Sequence, residues 1–270
     1  MSMDWIKDTF GTEKPIIAMC HFAALPGDPY YDADGGMEAV VERARREFLD
    51  LRNGGVDAVM FSNEFSLPYL RKVNPETTAA MARIIGELKS EIRIPFGVNV
   101  LWDPHACMDL SAATGAQFIR EIMSGVYASD YGLWDTNTGE IVRHQMRLGL
   151  KNLKRLFNIV PEASSPLGTR TVGQIAKTTV FNCNPDVICV SGATAGSATD
   201  MNVLETTKNA IPDTPVFANT GCREETIGGI FKIADGAVVG TTFKKDGKFA
   251  NQVDIERVKR FMEAAVKARA

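Results

Sequence analysis

Eight short apolar runs alternate with longer amphipathic segments along the 270 residues of the chain, and this alternation constrains the fold more than any other feature. Strands that alternate with helices favour an α/β fold with a parallel sheet. The eight runs are Pro15–Phe22, Val56–Glu64, Pro95–Asp103, Phe118–Gly125, Arg155–Glu162, Asp186–Gly192, Pro215–Gly221 and Gly236–Gly240. The sequence therefore predicts eight strand–helix units.

A closed barrel fits these units better than an open doubly wound sheet. Eight units fill a (β/α)8 barrel without remainder, and such a barrel typically has about 250 residues. No G-x-G-x-x-G motif follows the first strand, as it would in a dinucleotide-binding sheet. We therefore predict a single α/β domain, a (β/α)8 TIM barrel, over residues 1–270. Residues 1–14 form its N-terminal lead-in, and residues 126–140 form a long irregular loop after the fourth strand, of the kind that often serves as a lid.

Charge and hydropathy argue against several classes of protein. The formal net charge is −3, whereas a nucleic-acid-binding domain usually has a basic face. No apolar run approaches the roughly 18 residues that span a bilayer, and the acidic N-terminus lacks the apolar core of a signal peptide. The five cysteines are odd in number and contain no C-x-x-C, which indicates reduced thiols. We expect a cytoplasmic protein without a membrane span or nucleic-acid partner, and a homo-oligomer, as for many barrels.

The alternation of side chains across each strand predicts which polar groups face the barrel interior. In the second strand, Val59 and Phe61 suit the outside, so Glu64 points inward at the open end. The same reasoning directs Asn99 and Asp103 of the third strand, and Asn158 and Glu162 of the fifth, toward the interior. One such residue could simply cap a loop. Several on one face, where a polar group is costly unless it has a partner, favour a site.

The first strand and the long loop supply further candidates for proton transfer. Cys20 and His21 are adjacent, so only one of them can face inward; if Met19 does, His21 does too, and Cys20 packs against the helices. Histidine is suited to proton transfer near neutral pH. Asp130 is either a general acid or base or a turn residue. We predict as catalytic residues His21, Glu64, Asp103 and Asp130, and as substrate-binding residues Asn99, Asn158, Glu162, Ser191 and Asn219.

A metal site is a further possibility that the spacing does not require. His21, Glu64, Asp103 and His105 could converge on one Zn²⁺ or Mn²⁺ ion. However, the sequence contains neither an H-x-H nor an H-E-x-x-H motif. We therefore predict no metal and no cofactor.

Three glycine-rich stretches follow the last three predicted strands. They are SGATAGS (Ser191–Ser197), ANTGCREET (Ala218–Thr226) and ADGAVVGTTFKKDG (Ala234–Gly247). Glycines alone make turns, but exposed backbone N–H groups at the seventh and eighth strand ends of a barrel commonly bind phosphate. We predict that Gly192, Gly221, Gly240, Thr241 and Thr242 bind the phosphate of a small phosphorylated molecule. Lys244 and Lys245 could add positive charge, and we expect both to be solvated.

These motifs together resemble the BtpA/SgcQ family of TIM-barrel proteins over almost the whole chain. The resemblance rests on HFAALPGDP, SNE, GVNVLWD, SDYG, DVICVSGATAG and ADGAVVGTTFKKDG. The chain departs from the family pattern at NIVPEASSP and at SDYG, so a subgroup with altered chemistry is conceivable. The resemblance implies the barrel and a cytoplasmic setting. Members carry labels as different as nucleosidase and photosystem I biogenesis factor, and the loops also look like those of ribulose-phosphate-binding barrels.

The resulting hypothesis is an enzyme that acts on a small phosphorylated sugar or nucleoside-like molecule by acid/base catalysis. Isomerisation, C–N cleavage and C–C cleavage are all compatible with it. The alternative is a non-catalytic assembly, biogenesis or regulatory factor that has kept the barrel.

Overall fold

A computed structural model describes residues 4–159, 161–192 and 199–270. Within these ranges the strands are β1 (Ile16–His21), β2 (Ala58–Ser62), β3 (Phe96–Asn99), β4 (Phe118–Glu121), β5 (Val126–Ser129), β6 (Gly132–Asp135), β7 (Lys154–Ile159), β8 (Ser164–Pro166), β9 (Val187–Val190), β10 (Val216–Ala218) and β11 (Gly236–Val239). The helices are α1 (Asp4–Phe10), α2 (Gly36–Asn53), α3 (Pro75–Leu88), α4 (Pro104–Thr114), α5 (Thr138–Arg147), α6 (Val172–Cys183), α7 (Met201–Ala210), α8 (Ile227–Ile230) and α9 (Ile255–Arg269). Two 3₁₀ turns, Thr241–Phe243 and Lys245–Gly247, follow β11.

Eight of the strands form a closed parallel barrel in the order β1-β11-β10-β9-β7-β4-β3-β2. The ring is completed by the pairing of β1 with both β2 and β11. Each of the eight apolar runs found in the sequence overlaps one barrel strand. The predicted (β/α)8 TIM barrel is therefore confirmed.

The barrel strands alternate between an inner and an outer apolar core. Ala58 and Met60 of β2 belong to the cluster inside the barrel, whereas Val59 and Phe61 pack between the strands and the helices. Cys20 faces outward, where its Sγ lies 3.8 Å from the backbone oxygen of Ala44 on α2. The period of two therefore assigned these side chains to the correct faces.

Helix α1 closes the N-terminal end of the barrel. Ile6 and Phe10, one turn apart on this helix, join the inner apolar cluster. The ring centroid of Phe10 lies 5.5 Å from that of Phe118, the first residue of β4. The segment predicted as an N-terminal lead-in thus contains a helix, on which two large apolar side chains at i and i+4 share one face.

The region predicted as a long irregular loop contains a small antiparallel sheet. β5 pairs with β6 on one side and with β8 on the other. Tyr127 and Trp134 face inward and form an apolar cluster with Leu101, Ile122 and Trp102. The contacts of these two aromatic side chains explain why the segment forms strands rather than a loop. In the ranges given above, no helix combines the length and apolarity that crossing a bilayer requires.

Candidate functional site

A cavity of about 520 Å³ opens at the end of the barrel where the parallel strands finish. His21 ends β1, Glu64 follows β2, and Gly240 follows β11. All three line the cavity, so the first and second halves of the chain contribute to one rim. The predicted site residues that line it are His21, Glu64, Glu162, Asn219, Gly221, Gly240, Thr241 and Thr242.

The imidazole of His21 faces the carboxyl group of Glu64. Nε2 of His21 lies 3.9 Å from Oε2 of Glu64, and Nδ1 of His21 is buried without a hydrogen-bond partner in the described part of the chain. The hydroxyl of Ser62 donates a hydrogen bond of 2.9 Å to the same Glu64 oxygen. Ser62 therefore fixes the orientation of the carboxyl group beside the ring.

Burial shifts the pKa values of this pair in opposite directions. Desolvation lowers the pKa of His21 well below its ordinary value, and the positive charges of Lys244, Arg120 and Arg43 lower it further. Desolvation raises the pKa of Glu64, although nearby Arg120 opposes this shift. His21 is consequently neutral near pH 7, and the contact with Glu64 is not an ion pair of two full charges.

Arg120 of β4 lies at the base of the cavity and joins two amide side chains. Its Nη1 donates to Oδ1 of Asn219 at 2.7 Å, and its Nη2 donates to Oδ1 of Asn99 at 2.6 Å. Its side chain is buried, and it lines the cavity. Asn99 does not itself line the cavity and reaches it only through Arg120.

A buried polar network continues from Asn219 under the cavity. Asn219 donates from Nδ2 to the hydroxyl of Ser191, which in turn donates to Oδ1 of Asn158. Nδ2 of Asn158 and Oε2 of Glu162 are buried without partners in the part of the chain that the structure describes. Asn158 and Ser191 thus support the cavity floor, whereas Glu162 lines the cavity directly.

Glu121, the last residue of β4, lies outside the cavity, and its carboxyl group contacts Cys107 of α4. It accepts hydrogen bonds from Nδ2 of Asn99 and from the backbone N–H of Ile122. Desolvation raises its pKa well above the ordinary value, with Arg120 opposing that shift. Glu121 thus anchors Asn99, which in turn holds Arg120.

The loops after β10 and β11 form another wall of the cavity, which adjoins His21 at Gly240. The hydroxyl of Thr242 donates to the backbone oxygen of Cys222, which joins the two loops. Arg257 of α9 donates from Nε to the backbone oxygen of Thr242 at 2.9 Å and also lines the cavity. Because the hydroxyl hydrogen of Thr242 is already used, Thr242 contributes mainly by fixing the loop.

Gly192 does not line the cavity with the other glycines. Its backbone N–H donates to the hydroxyl of Thr220 at 2.6 Å, so this donor is already occupied. Residues 193–198 of the predicted SGATAGS loop lie outside the described residues.

Asp103 and Asp130 are separate from the cavity, contrary to the prediction that both act in catalysis. Asp103 is the N-cap of α4: its Oδ1 accepts from the backbone N–H groups of His105 and Ala106, and its Oδ2 accepts from that of Val73. β3 ends at Asn99, so the strand alternation that directed Asp103 inward does not extend to it. Asp130 lies exposed in the turn between β5 and β6.

Lys244 differs from the prediction that it is solvated. It is fully buried, and its Nζ donates to Oε2 of Glu47 on α2 at 2.6 Å. Lys245, by contrast, is exposed. The ion pair with Glu47, and not the residues adjacent in the sequence, accompanies the burial of this lysine.

The described residues contain no group of three or more His, Cys, Asp or Glu side chains arranged to hold a metal ion. The ring centroid of His105 lies 5.2 Å from that of His144 on α5, in the outer helix layer. The set His21, Glu64, Asp103 and His105 therefore does not converge.

Arg120 and Arg257 are among the lining residues that the sequence reasoning missed. Arg120 stands in an apolar strand, two residues after the inward-facing Phe118, so its inward direction could have been read from the alternation. Arg257 lies in an amphipathic C-terminal helix, where nothing distinguishes it from the neighbouring surface arginines.

The chain is similar to known proteins over nearly all of its length. The model of the BtpA family matches residues 12–267. The sgc region protein SgcQ of Escherichia coli (strain K12) is 63% identical over 261 residues, which cover 97% of this chain and 97% of that protein. The photosystem I biogenesis protein BtpA of Synechocystis sp. is 33% identical over 259 residues, which cover 95% of this chain and 89% of that protein.

A solved structure shares the architecture at low sequence identity. (S)-3-O-geranylgeranylglyceryl phosphate synthase from Thermoplasma acidophilum, solved with its substrate sn-glycerol-1-phosphate, aligns with a TM-score of 0.58 and 15% identity. The alignment covers 99% of each chain. At this identity, the likeness shows the common fold.

Proposed function

This chain belongs to the BtpA family, and on that premise we propose that it is an enzyme acting on a small phosphorylated sugar or nucleoside-like molecule. One observation carries the proposal: the His21–Glu64 pair and the glycine loops after β10 and β11 line the same cavity. Proton-transfer groups and a phosphate-binding wall in one cavity are what such a reaction needs.

The phosphate of the substrate lies against the loops after β10 and β11. Gly221, Gly240 and Thr241 line the cavity there, and the backbone N–H groups of such loops are the donors that bind a phosphate. Arg257, fixed to this wall by its bond to Thr242, adds positive charge. The synthase with the same fold was solved with a glycerol phosphate, which supports a phosphorylated substrate.

The proton transfer takes place at the His21–Glu64 pair, which adjoins the phosphate wall at Gly240. Glu64, whose pKa is raised by burial, is the group that takes up and returns the proton. Neutral His21 keeps one ring nitrogen as a donor and the other as an acceptor, so it relays or shares that proton. Glu162, with its unpartnered oxygen, holds a substrate hydroxyl. These roles suit isomerisation as well as C–N or C–C cleavage.

The test is a screen of phosphorylated sugars and nucleosides in D₂O, followed by proton NMR. A proton-transfer enzyme incorporates deuterium at the reacting carbon or yields a cleaved product. Glu64→Gln should abolish this signal while thermal unfolding and phosphate binding stay unchanged. If Glu64→Gln keeps full turnover, the acid/base assignment is wrong.

A separate measurement tests the phosphate wall. Inorganic phosphate and ribose 5-phosphate should raise the melting temperature of the wild-type protein, because a ligand that binds the native state stabilises it. Crystals soaked with either compound should show density beside Gly221 and Gly240. Density elsewhere would overturn the placement of the phosphate.

The alternative function is that of a non-catalytic assembly or biogenesis factor. It is favoured by one relative, which carries the name photosystem I biogenesis protein BtpA. This function predicts no ligand-induced stabilisation and no turnover in the screen, together with a protein partner on the outer helices. We also propose a cytoplasmic homo-oligomer. The five cysteines, all in the described ranges, are free, which supports a reducing compartment.

A further inference from the structure

Arg120 carries a buried positive charge that no carboxylate of the described residues pairs with directly, although Glu64 and Glu121 interact with it electrostatically at longer range. The side chain is 4% exposed, and no Asp or Glu oxygen of the described chain lies within ion-pair distance of it. Its hydrogen-bond partners are the neutral amide oxygens of Asn99 and Asn219. A buried charge is costly unless an opposite charge accompanies it, so this arrangement is incomplete without an anion.

Most of the donors of Arg120 are unused. A guanidinium has five N–H groups, and the described residues accept one from Nη1 and one from Nη2. Nε is buried without a hydrogen-bond partner among the described residues. The remaining donors belong to a side chain that lines the cavity, so a ligand there can accept from them.

The two amides hold the guanidinium in a fixed orientation. Asn99 uses its Nδ2 on the backbone oxygen of Arg120 and on Glu121, and Asn219 uses its Nδ2 on Ser191. Both amide oxygens are thereby directed at Arg120. A planar donor group prearranged in this way matches a carboxylate, which accepts two parallel hydrogen bonds.

We propose that Arg120 binds a carboxylate of the substrate, which makes the substrate a phosphorylated sugar acid or a related phosphorylated hydroxy or keto acid. The inference rests on the proposed function, because the phosphate occupies the separate wall formed by the loops after β10 and β11. A carboxylate held at Arg120 lies near Glu64, with which Arg120 interacts electrostatically. It is thus close to the group that moves the proton.

Two small probes that differ at one carbon test this assignment. Glycerol 3-phosphate and 3-phosphoglycerate share the phosphate, but the second carries a carboxylate in place of a hydroxymethyl group. Calorimetric titration with inorganic phosphate, glycerol 3-phosphate and 3-phosphoglycerate gives three dissociation constants for each protein. The wild-type protein should bind 3-phosphoglycerate about tenfold more tightly than glycerol 3-phosphate.

Arg120→Gln should abolish this preference and leave the affinity for inorganic phosphate within about threefold of the wild-type value. Arg260→Gln is the matched control, since it removes the same charge from a half-exposed position on the rim of the same cavity, and it should keep the preference. If Arg120→Gln does not fold, Arg120→Lys, which keeps the charge but loses the planar donors, should show a smaller preference than the wild type.

The outcomes separate this inference from the proposed function. If the wild-type protein binds phosphate but does not prefer 3-phosphoglycerate, or if Arg120→Gln keeps the preference, the carboxylate assignment is wrong and the phosphate wall stands. If Arg120→Gln loses inorganic phosphate as well, Arg120 belongs to the phosphate site and the inference fails. If the wild type binds none of the three probes, the proposed function fails and the inference fails with it.

Discussion

Gly240 and His21 are packed so closely that a side chain at position 240 would contact the imidazole ring. A Cβ atom built on Gly240 would lie 3.2 Å from both Cε1 and Nε2 of His21. Gly240 has φ −122° and ψ −88°, outside the main helical and strand regions. The loop after β11 therefore packs directly against the histidine at the end of β1, with too little space for a side chain at position 240.

Gly240→Ala should move the His21 ring away from Glu64. A displacement of reacting groups by about 1 Å can reduce turnover by about a hundredfold, and we expect a loss of that order for any substrate that the NMR screen identifies. The ring resonances of His21 in a ¹⁵N-labelled protein should shift as well. Gly228→Ala is the control, because a Cβ there meets nothing within 4 Å. Unshifted His21 resonances in Gly240→Ala would contradict this account.

His21 should make the protein less stable as the pH falls. Its pKa is lowered from the ordinary value of 6.5, so the folded state favours the neutral ring. The resulting stabilisation is complete above pH 6.5 and is lost as the pH falls toward the lowered pKa of the folded state. Below pH 6.5, the free energy of unfolding of the wild-type protein should fall relative to that of His21→Asn by up to about 1.4 kcal/mol per pH unit.

Urea unfolding at several pH values measures this difference. His144→Asn is the control, since it removes an imidazole from the outer helix layer, where its Nε2 lies 2.7 Å from Oδ1 of Asp109. If the difference in free energy of unfolding between the wild type and His21→Asn stays constant between about pH 7.5 and about pH 5.5, the prediction is contradicted.

Lys244→Met should strongly destabilise the fold. Glu47 is 1% exposed and would keep only the 3.9 Å contact of its Oε1 with Nε of Arg43. Removal of one partner of a buried ion pair typically costs about 3–5 kcal/mol. The double variant Lys244→Met/Glu47→Leu should recover much of this loss because it removes both charges. Lys7→Met, which breaks an exposed pair with Glu13, should cost less than about 1 kcal/mol. A single variant as stable as the wild type in urea unfolding would show that the pair is dispensable.

Phe10→Ala should destabilise the barrel from its N-terminal end. Phe10 is 6% exposed and packs against Phe118 of β4, and removal of a buried phenyl ring typically costs about 3–5 kcal/mol. Phe181→Ala is the matched control, because Phe181 on α6 is 87% exposed and its truncation should change stability by less than about 0.5 kcal/mol. Equal melting temperatures for the two variants would show that α1 contributes no packing.

The barrel could be predicted from the sequence because parallel strands that are buried on both faces appear as nearly continuous apolar runs. The alternation within each run also predicted the face that each side chain occupies. In β2, Val59 and Phe61 lie outside the barrel and Met60 lies inside. The small sheet of β5, β6 and β8 was missed because its strands have only three or four residues each. Such short strands are stabilised by tertiary contacts, here those of Tyr127 and Trp134, rather than by local pattern.

The site was harder to predict because side chains beyond a strand end no longer alternate. Glu64 lies two residues after β2 and still reaches the cavity, whereas Asp103 lies four residues after β3 and caps α4 instead. Lys244 illustrates a second limit. Its burial depends on Glu47, 197 residues earlier in the chain, and no local pattern reports such a partner.

Because α1 closes the N-terminal end of the barrel, it limits how substrate enters and product leaves. Ile6 and Phe10 fill the N-terminal end of the barrel interior. A ligand of the cavity therefore enters and leaves at the C-terminal end of the strands. A product and the next substrate molecule then compete for one passage. The loop that carries Phe249 lines that passage and is suited to set how long a bound molecule stays.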